Sequence, residues 1–91
     1  MISEIKCEYV CGIFKALGHP VRLKIVNLLL ENNGCFVNKI AETMCLPQST
    51  TSQHIAVLKN NKIVSSEKKG VDTRYFVSNE KIQKLIAFMK E

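Results

Sequence analysis

Residues 36–60, FVNKIAETMCLPQSTTSQHIAVLKN, decide the fold. They read as two short helices separated by a tight turn around Cys45. The second helix opens on Gln48, Ser49, Thr50, Thr51, Ser52, Gln53 and His54, and turns apolar only at Ile55, Val57 and Leu58. Ser and Thr compete with the backbone for hydrogen bonds and are mediocre helix formers. So many of them make a poor core element and a good surface for a large polar partner. At about 100° per residue, Thr51, Ile55 and Leu58 share the face to be buried, while Ser49, Ser52, Gln53 and Ala56 share the opposite one. That second face is uncharged and short. Amides and hydroxyls of this kind meet base edges, and a methyl meets thymine. The pattern suits a helix-turn-helix whose second helix enters the major groove amino end first. An amphipathic helix with a merely solvated Ser/Thr side would look the same.

The residues after Asn61 favour the groove-reading helix. Residues 63–69 and 73–77 are rich in β-branched and aromatic side chains, with a turn at Gly70-Val71-Asp72. Lys68, Lys69 and Arg74 gather at the tip and return strand. Helices succeeded by a basic-tipped hairpin give the order of a winged helix; the lysines could also serve to discourage edge-to-edge strand pairing.

Working outward, residues 2–17 place Ile2, Ile5, Tyr9, Ile13 and Leu17 on one stripe. Gly18-His19-Pro20 breaks that helix, and Pro20 fits the first turn of the next, where its missing N–H is harmless. The helix VRLKIVNLLLE is apolar over most of its circumference and is expected to be the core helix. Asn32-Asn33-Gly34 ends it. A last helix, Asn79 to Lys90, carries Ile82, Leu85, Ile86 and Met89, with Ser78 or Asn79 as its cap. Strong stripes on the first and last helices, in a chain whose middle already supplies a core, point to pairing of two subunits, and symmetric dimers match palindromic operators.

The chain of 91 residues is expected to be one domain, with 1–17 and 79–90 as dimerisation helices, 37–60 as the helix-turn-helix and 63–77 as the wing. At 46% hydrophobic it can fill a small core. A domain of this size buries only about 60–65% of its unfolded surface, which makes support from a partner subunit useful. The net charge is +5, and between Thr43 and Ser66 stand two lysines, Lys59 and Lys62, and no acid. A polyanion can approach there without repulsion. No run nears the ~20 apolar residues of a membrane span, and Met1-Ile2-Ser3-Glu4 does not open a signal peptide, so a cytoplasmic location without membrane contact is expected. There is no Ser-His-Asp order, phosphate loop or metalloprotease motif, so no enzyme is expected.

ALGHPVRLKIVNLLL, then VNKIAETMCLPQSTTSQHIAVLKNNKIV and a hairpin ending TRYFVS, resembles the ArsR/SmtB family of winged-helix repressors from about Phe14 to Phe88. The most specific pieces are residues 17–22, 46–54 and Leu58-Lys59. The resemblance implies a mainly α homodimer, ordered α-α-α-α-β-β-α with a two-stranded wing, that represses its own operon on double-stranded operator DNA and is released by an inducer. The family's reading positions fall on Gln48, Ser49, Ser52 and Gln53. The expected DNA-contact set adds Thr50 and Lys59 on the helix, and Lys68, Lys69 and Arg74 on the wing. Asp72, after the wing glycine, would repel phosphate.

The inducer site departs from the family. Its thiolate pair at the start of the third helix is replaced here by Phe36 and Asn38, and its zinc site on the last helix needs a His that NEKIQKLIAFMKE lacks. His19 and His54 are expected to be structural or close to DNA. Cys7 and Cys11, at i and i+4, share one helix face, and Cys35 adjoins the family's thiolate position. A cluster of Cys7, Cys11 and Cys35 would bind a soft ion such as As(III), Cd(II) or Pb(II), or form a disulfide or persulfide. The competing reading is that free cysteines are small buried hydrophobes. Cys45 is expected in a left-handed turn. Two other functions fit the same sequence: a winged-helix protein-interaction module, and a thiol metal-binding protein without effect on DNA.

Overall fold

The structure is a computed structural model describing residues 3–91, apart from the side chain of Ile5. Ile2 and the side chain of Ile5, both in the expected first stripe, therefore lie outside the described residues. The elements run α1 (Glu4–Leu17), α2 (Pro20–Glu31), β1 (Cys35–Phe36), α3 (Val37–Met44), α4 (Gln48–Asn60), β2 (Val64–Lys69), β3 (Asp72–Val77) and α5 (Glu80–Met89).

Local chemistry sets the boundaries. Ser3 caps α1 by accepting the Lys6 N–H at 3.2 Å. Arg22 donates to the carbonyls of Ala16 at 2.7 Å and Lys15 at 3.3 Å, satisfying acceptors that the end of α1 leaves open. His19 caps α2 through Nδ1, which accepts the Val21 N–H, and Pro20 stands in the first turn. Asn79 caps α5 by accepting the Lys81 N–H at 3.0 Å. Helices α2, α3 and α4 end alike. Asn33, Cys45 and Lys62 take φ of 52°, 56° and 61°. In each case the next N–H reaches back five residues: Gly34 to Leu29, Leu46 to Ala41 and Ile63 to Leu58. This is the Schellman arrangement, which glycine usually serves because side chains resist the left-handed region.

The core lies where α2 crosses the helix-turn-helix. Ile25, Val26 and Leu29 of α2 meet Ile40 of α3, Ile55 and Leu58 of α4, and Ile63 and Val64 leading into the sheet, all buried. Thr51 is buried with them, and its hydroxyl donates to the Pro47 carbonyl at 3.0 Å, so that hydroxyl is not stranded.

One difference from the sequence reading has a physical cause. The hairpin of β2 and β3 carries a third strand: β1 pairs antiparallel with β3, Cys35 opposite Tyr75 and Phe36 opposite Arg74, giving the order β1-β3-β2. Two residues are too few to show alternation. Helix α2 supplies the centre of the core, as expected, with Leu23 exposed on its outer side. In keeping with the expected pairing of subunits, the end helices spend only part of their stripes on this core. Ile13, Leu17, Ile82 and Ile86 are buried, but Tyr9 is 45% and Met89 70% exposed. Phe14, Leu23 and Met89, with Leu17, Leu85 and Ile86, line an open apolar groove between α1, α2 and α5.

Candidate nucleic-acid interface

Helix α4 is held by its inner face. With Thr51, Ile55 and Leu58 in the core, Gln48, Ser49, Ser52, Gln53 and Ala56 are all exposed, and Thr50 is half-buried at the margin. The outward face is thus polar, uncharged and continuous over two turns. Lys59 ends the same stripe and donates to Ser66 Oγ at 2.8 Å, bracing α4 against β2.

His54 stands beside this face. Its ring lies 4.8 Å from that of His19, tilted by 55°. Burial, then the neighbouring His19 and Arg22, hold its pKa below the ordinary value. Nδ1 of His19 is already committed to the Val21 N–H. The pair therefore ties the start of α2 to the reading helix. Its adjacency joins residues 35 positions apart and carries no short-range sequence signal.

The wing turns through Gly70, at φ 65°, and the fully projecting Val71. Lys68 and Lys69 reach its tip, opposite Thr73 and Asp72 in the ladder. Lys69 lies 3.4 Å from Glu67, whereas Lys68 has no ion-pair partner among the described residues. Arg74 is placed differently from the sequence expectation. Its guanidinium turns into the sheet, donating to the Asn33 carbonyl and to Glu67 at 3.3 Å, and stacking 5.0 Å over Phe76. It clasps the end of α2 to β3 instead of presenting charge at the tip. The reason is that β1, unseen in sequence, brings Asn33 and Gly34 alongside β3. A Cβ on Gly34, φ 101°, would lie 2.7 Å from that guanidinium.

The cysteines are dispersed. Cys7, Cys11 and Cys45 are exposed, Cys45 in the expected left-handed turn, whereas Cys35 is buried in the core. Burial pushes the Cys35 thiol up, with Lys39 and Arg74 offsetting part of the effect. Among the described residues no three Cys, His, Asp or Glu side chains gather closely enough to hold a metal ion. A single chain therefore does not assemble the Cys7–Cys11–Cys35 site. The strand β1 fixes Cys35 inward, while α1 turns Cys7 and Cys11 outward.

Comparison with known proteins agrees with this geometry. A sequence model described as bacterial regulatory protein, arsR family, matches residues 19–66. The transcriptional repressor PagR of Bacillus anthracis is 34% identical over 97% of this chain and 88% of its own length. Its crystal structure superposes with a TM-score of 0.86, at 30% identity, over 96% of this chain and 99% of that one. A cadmium resistance regulatory protein, CadC of Listeria innocua, is 39% identical over 93% of this chain and 71% of its own. The solution structure of a homodimeric winged helix-turn-helix DNA-binding domain from Mycobacterium bovis gives a TM-score of 0.87, at 26% identity, over 97% of this chain and 83% of that one.

Proposed function

The chain belongs to the arsR family of bacterial regulatory proteins, DNA-binding transcriptional regulators and not enzymes, and from that premise we propose a homodimeric repressor that reads its operator with Gln48, Ser49, Ser52 and Gln53. The observation carrying this reading is the uncharged exposed face of α4, opposite a fully buried Thr51, Ile55 and Leu58. Thr50 and Lys59 flank the reading set, and Lys68, with Lys69, meets phosphate at the wing tip. We leave Arg74 out of the proposed contact set because its guanidinium is engaged by Asn33 and Glu67.

The groove of α1, α2 and α5 supports the dimer. Asn27 lines it, and its Oδ1 is buried without a hydrogen-bond partner among the described residues. Such an atom is satisfied when another surface closes over it. No helix of the described residues is long and apolar enough to cross a membrane. Action on operator DNA fits a cytoplasmic location and the single-domain division into end helices, residues 37–60 and residues 63–77.

For release, the reading is a thiophilic ion or a sulfur or redox signal acting on Cys7 and Cys11. They are exposed one turn apart on α1, and a cadmium resistance regulator is among the similar proteins. As(III), Cd(II) or Pb(II) at this pair needs a further donor from outside the single chain. The deciding experiment is a promoter-binding titration with and without As(III), Cd(II), Pb(II), Zn(II) and a polysulfide. Release that persists in the Cys7→Ser and Cys11→Ser variants removes these thiols from sensing; absence of promoter binding in every condition favours a protein-interaction module.

A further inference from the structure

Beside the carboxyl end of the reading helix, where α4 meets the free edge of β2, lies a recess of about 360 Å³ lined by Lys59, Lys62, Val64, Ser65, Ser66 and Ser78. Its chemistry is one-sided: two cations, three hydroxyls and no acid. We propose that this recess is an oxyanion site that takes a phosphate group.

The donors are available. Lys59 spends one of its three N–H groups on Ser66 Oγ at 2.8 Å. Having accepted there, Ser66 keeps its own O–H to donate. Ser65 and Ser78 share one hydrogen bond at 2.7 Å, which leaves the other hydroxyl proton of the pair free. Lys62 makes no ion pair among the described residues. A helix carboxyl end normally repels anions. Here the last carbonyls of α4 are occupied: Asn61 covers Val57 through its amide side chain at 2.8 Å, Lys62 N–H reaches Lys59, and Ile63 N–H reaches Leu58. The repulsion is therefore blunted.

Lys62 stands at the mouth of the recess, just past the end of α4. It occupies the left-handed position, φ 61°, that ends α4. Glycine fits that conformation without strain, and a lysine does not.

Two sources could supply the phosphate. Lys59 lies on the stripe of Ser52 and Ala56, one turn beyond the reading residues, so a DNA backbone phosphate at the groove edge is one. A free phosphate or phosphorylated small molecule is the other. The DNA source rests on operator reading by α4; the recess itself does not.

The test uses the full chain and three variants, Lys62→Gln, Lys62→Gly and Gln53→Ala. Affinity for promoter and unrelated duplex is measured against salt. Separately, inorganic phosphate is titrated without DNA at constant ionic strength while amide resonances are followed, with sulfate and chloride as controls. If DNA supplies the phosphate, both Lys62 variants weaken binding to both duplexes alike and reduce the salt slope by about 0.9. If a free ester supplies it, the slope holds while phosphate selectively shifts the amides of Ser65, Ser66 and Ser78 in the native chain and not in the variants. Lys62→Gly relieves the backbone, so a more stable variant that still loses either response shows charge and not folding at work. An unchanged slope together with no phosphate-specific shift overturns the site. Should Gln53→Ala meanwhile lose its sequence preference, the reading of α4 stands and only the recess falls. No DNA binding by any protein, with the phosphate shifts intact, is the reverse.

Discussion

Arg74 decides whether the return strand of the wing touches DNA or only holds itself together, and Arg74→Gln separates the two. The side chain makes three contacts: a charged hydrogen bond to the Asn33 carbonyl, an ion pair with Glu67 at 3.3 Å, and a stack 5.0 Å over Phe76. A hydrogen bond from a charged donor contributes about 1.5–3 kcal/mol where it is shielded. With the Arg74 side chain 25% exposed, the lower end applies. Glu67 is 45% exposed, so the ion pair is screened to about 0.5 kcal/mol or less. The stack adds about 0.5 kcal/mol. Loss of all three should destabilise the chain by about 2 kcal/mol, on the order of 10 °C in melting temperature for a domain this small. Melting by circular dichroism at fixed protein concentration reads this directly, and Arg74→Lys should rescue little, because an ammonium lacks the planar fork. DNA binding by the surviving folded protein should keep its salt slope, whereas Lys68→Ala should lower the slope by about 1. A melting temperature unmoved by Arg74→Gln, with a slope reduced by that amount, refutes the clasp and returns Arg74 to the phosphate contacts.

Gln53→Ala should weaken binding to the operator by about 1–3 kcal/mol and relax its sequence preference, measured by anisotropy on operator and scrambled duplexes; equal losses on both would exclude base reading by this residue. His54 is held below its ordinary 6.5, so the unfolded chain takes the proton first: stability is unaffected above that value and falls as pH drops from it toward the depressed folded value. The His54→Asn variant should lack that part of the slope, and parallel denaturation midpoints from about pH 7 to pH 5 would contradict it. Cys45→Gly should stabilise the chain by up to about 1 kcal/mol in urea titration, since it relieves a left-handed non-glycine and removes only an exposed side chain; a destabilised variant would mean that the Cys45 side chain packs against something.

What the sequence disclosed was whatever repeats or sits close together. The faces of α4, the Pro20 start, the Asn79 cap and the Gly70 turn are all local, and each appears in the structure. The facing of Ser49, Ser52 and Gln53 away from Thr51 needed only the helical period. Contacts across long stretches of chain were not legible. Cys35 and Phe36 form a strand only because β3 lies beside them, and Arg74 looks like a wing cation until that pairing draws it onto Asn33. The same strand turns Cys35 inward, away from Cys7 and Cys11, with which the family resemblance had grouped it. Leu23 and Met89 show a related limit: an apolar stripe shows that something covers it, but not whether the cover belongs to the same chain.

The pairing of β1 with β3 has a consequence in time. Phe36 lies opposite Arg74, so the whole helix-turn-helix is a loop of roughly 40 residues pinned at its two ends. The hairpin of β2 and β3 closes through a two-residue turn and can form in microseconds. The β1 ladder closes a far longer loop than the hairpin does, so it is expected to form after α3 and α4 have packed. Folding should therefore finish at this seam, and opening should begin there, exposing Cys35 and loosening the reading head as one unit. Amide exchange at Cys35 and Phe36 that is faster than in the α2 core, yet matched to α3, is the signature of that order.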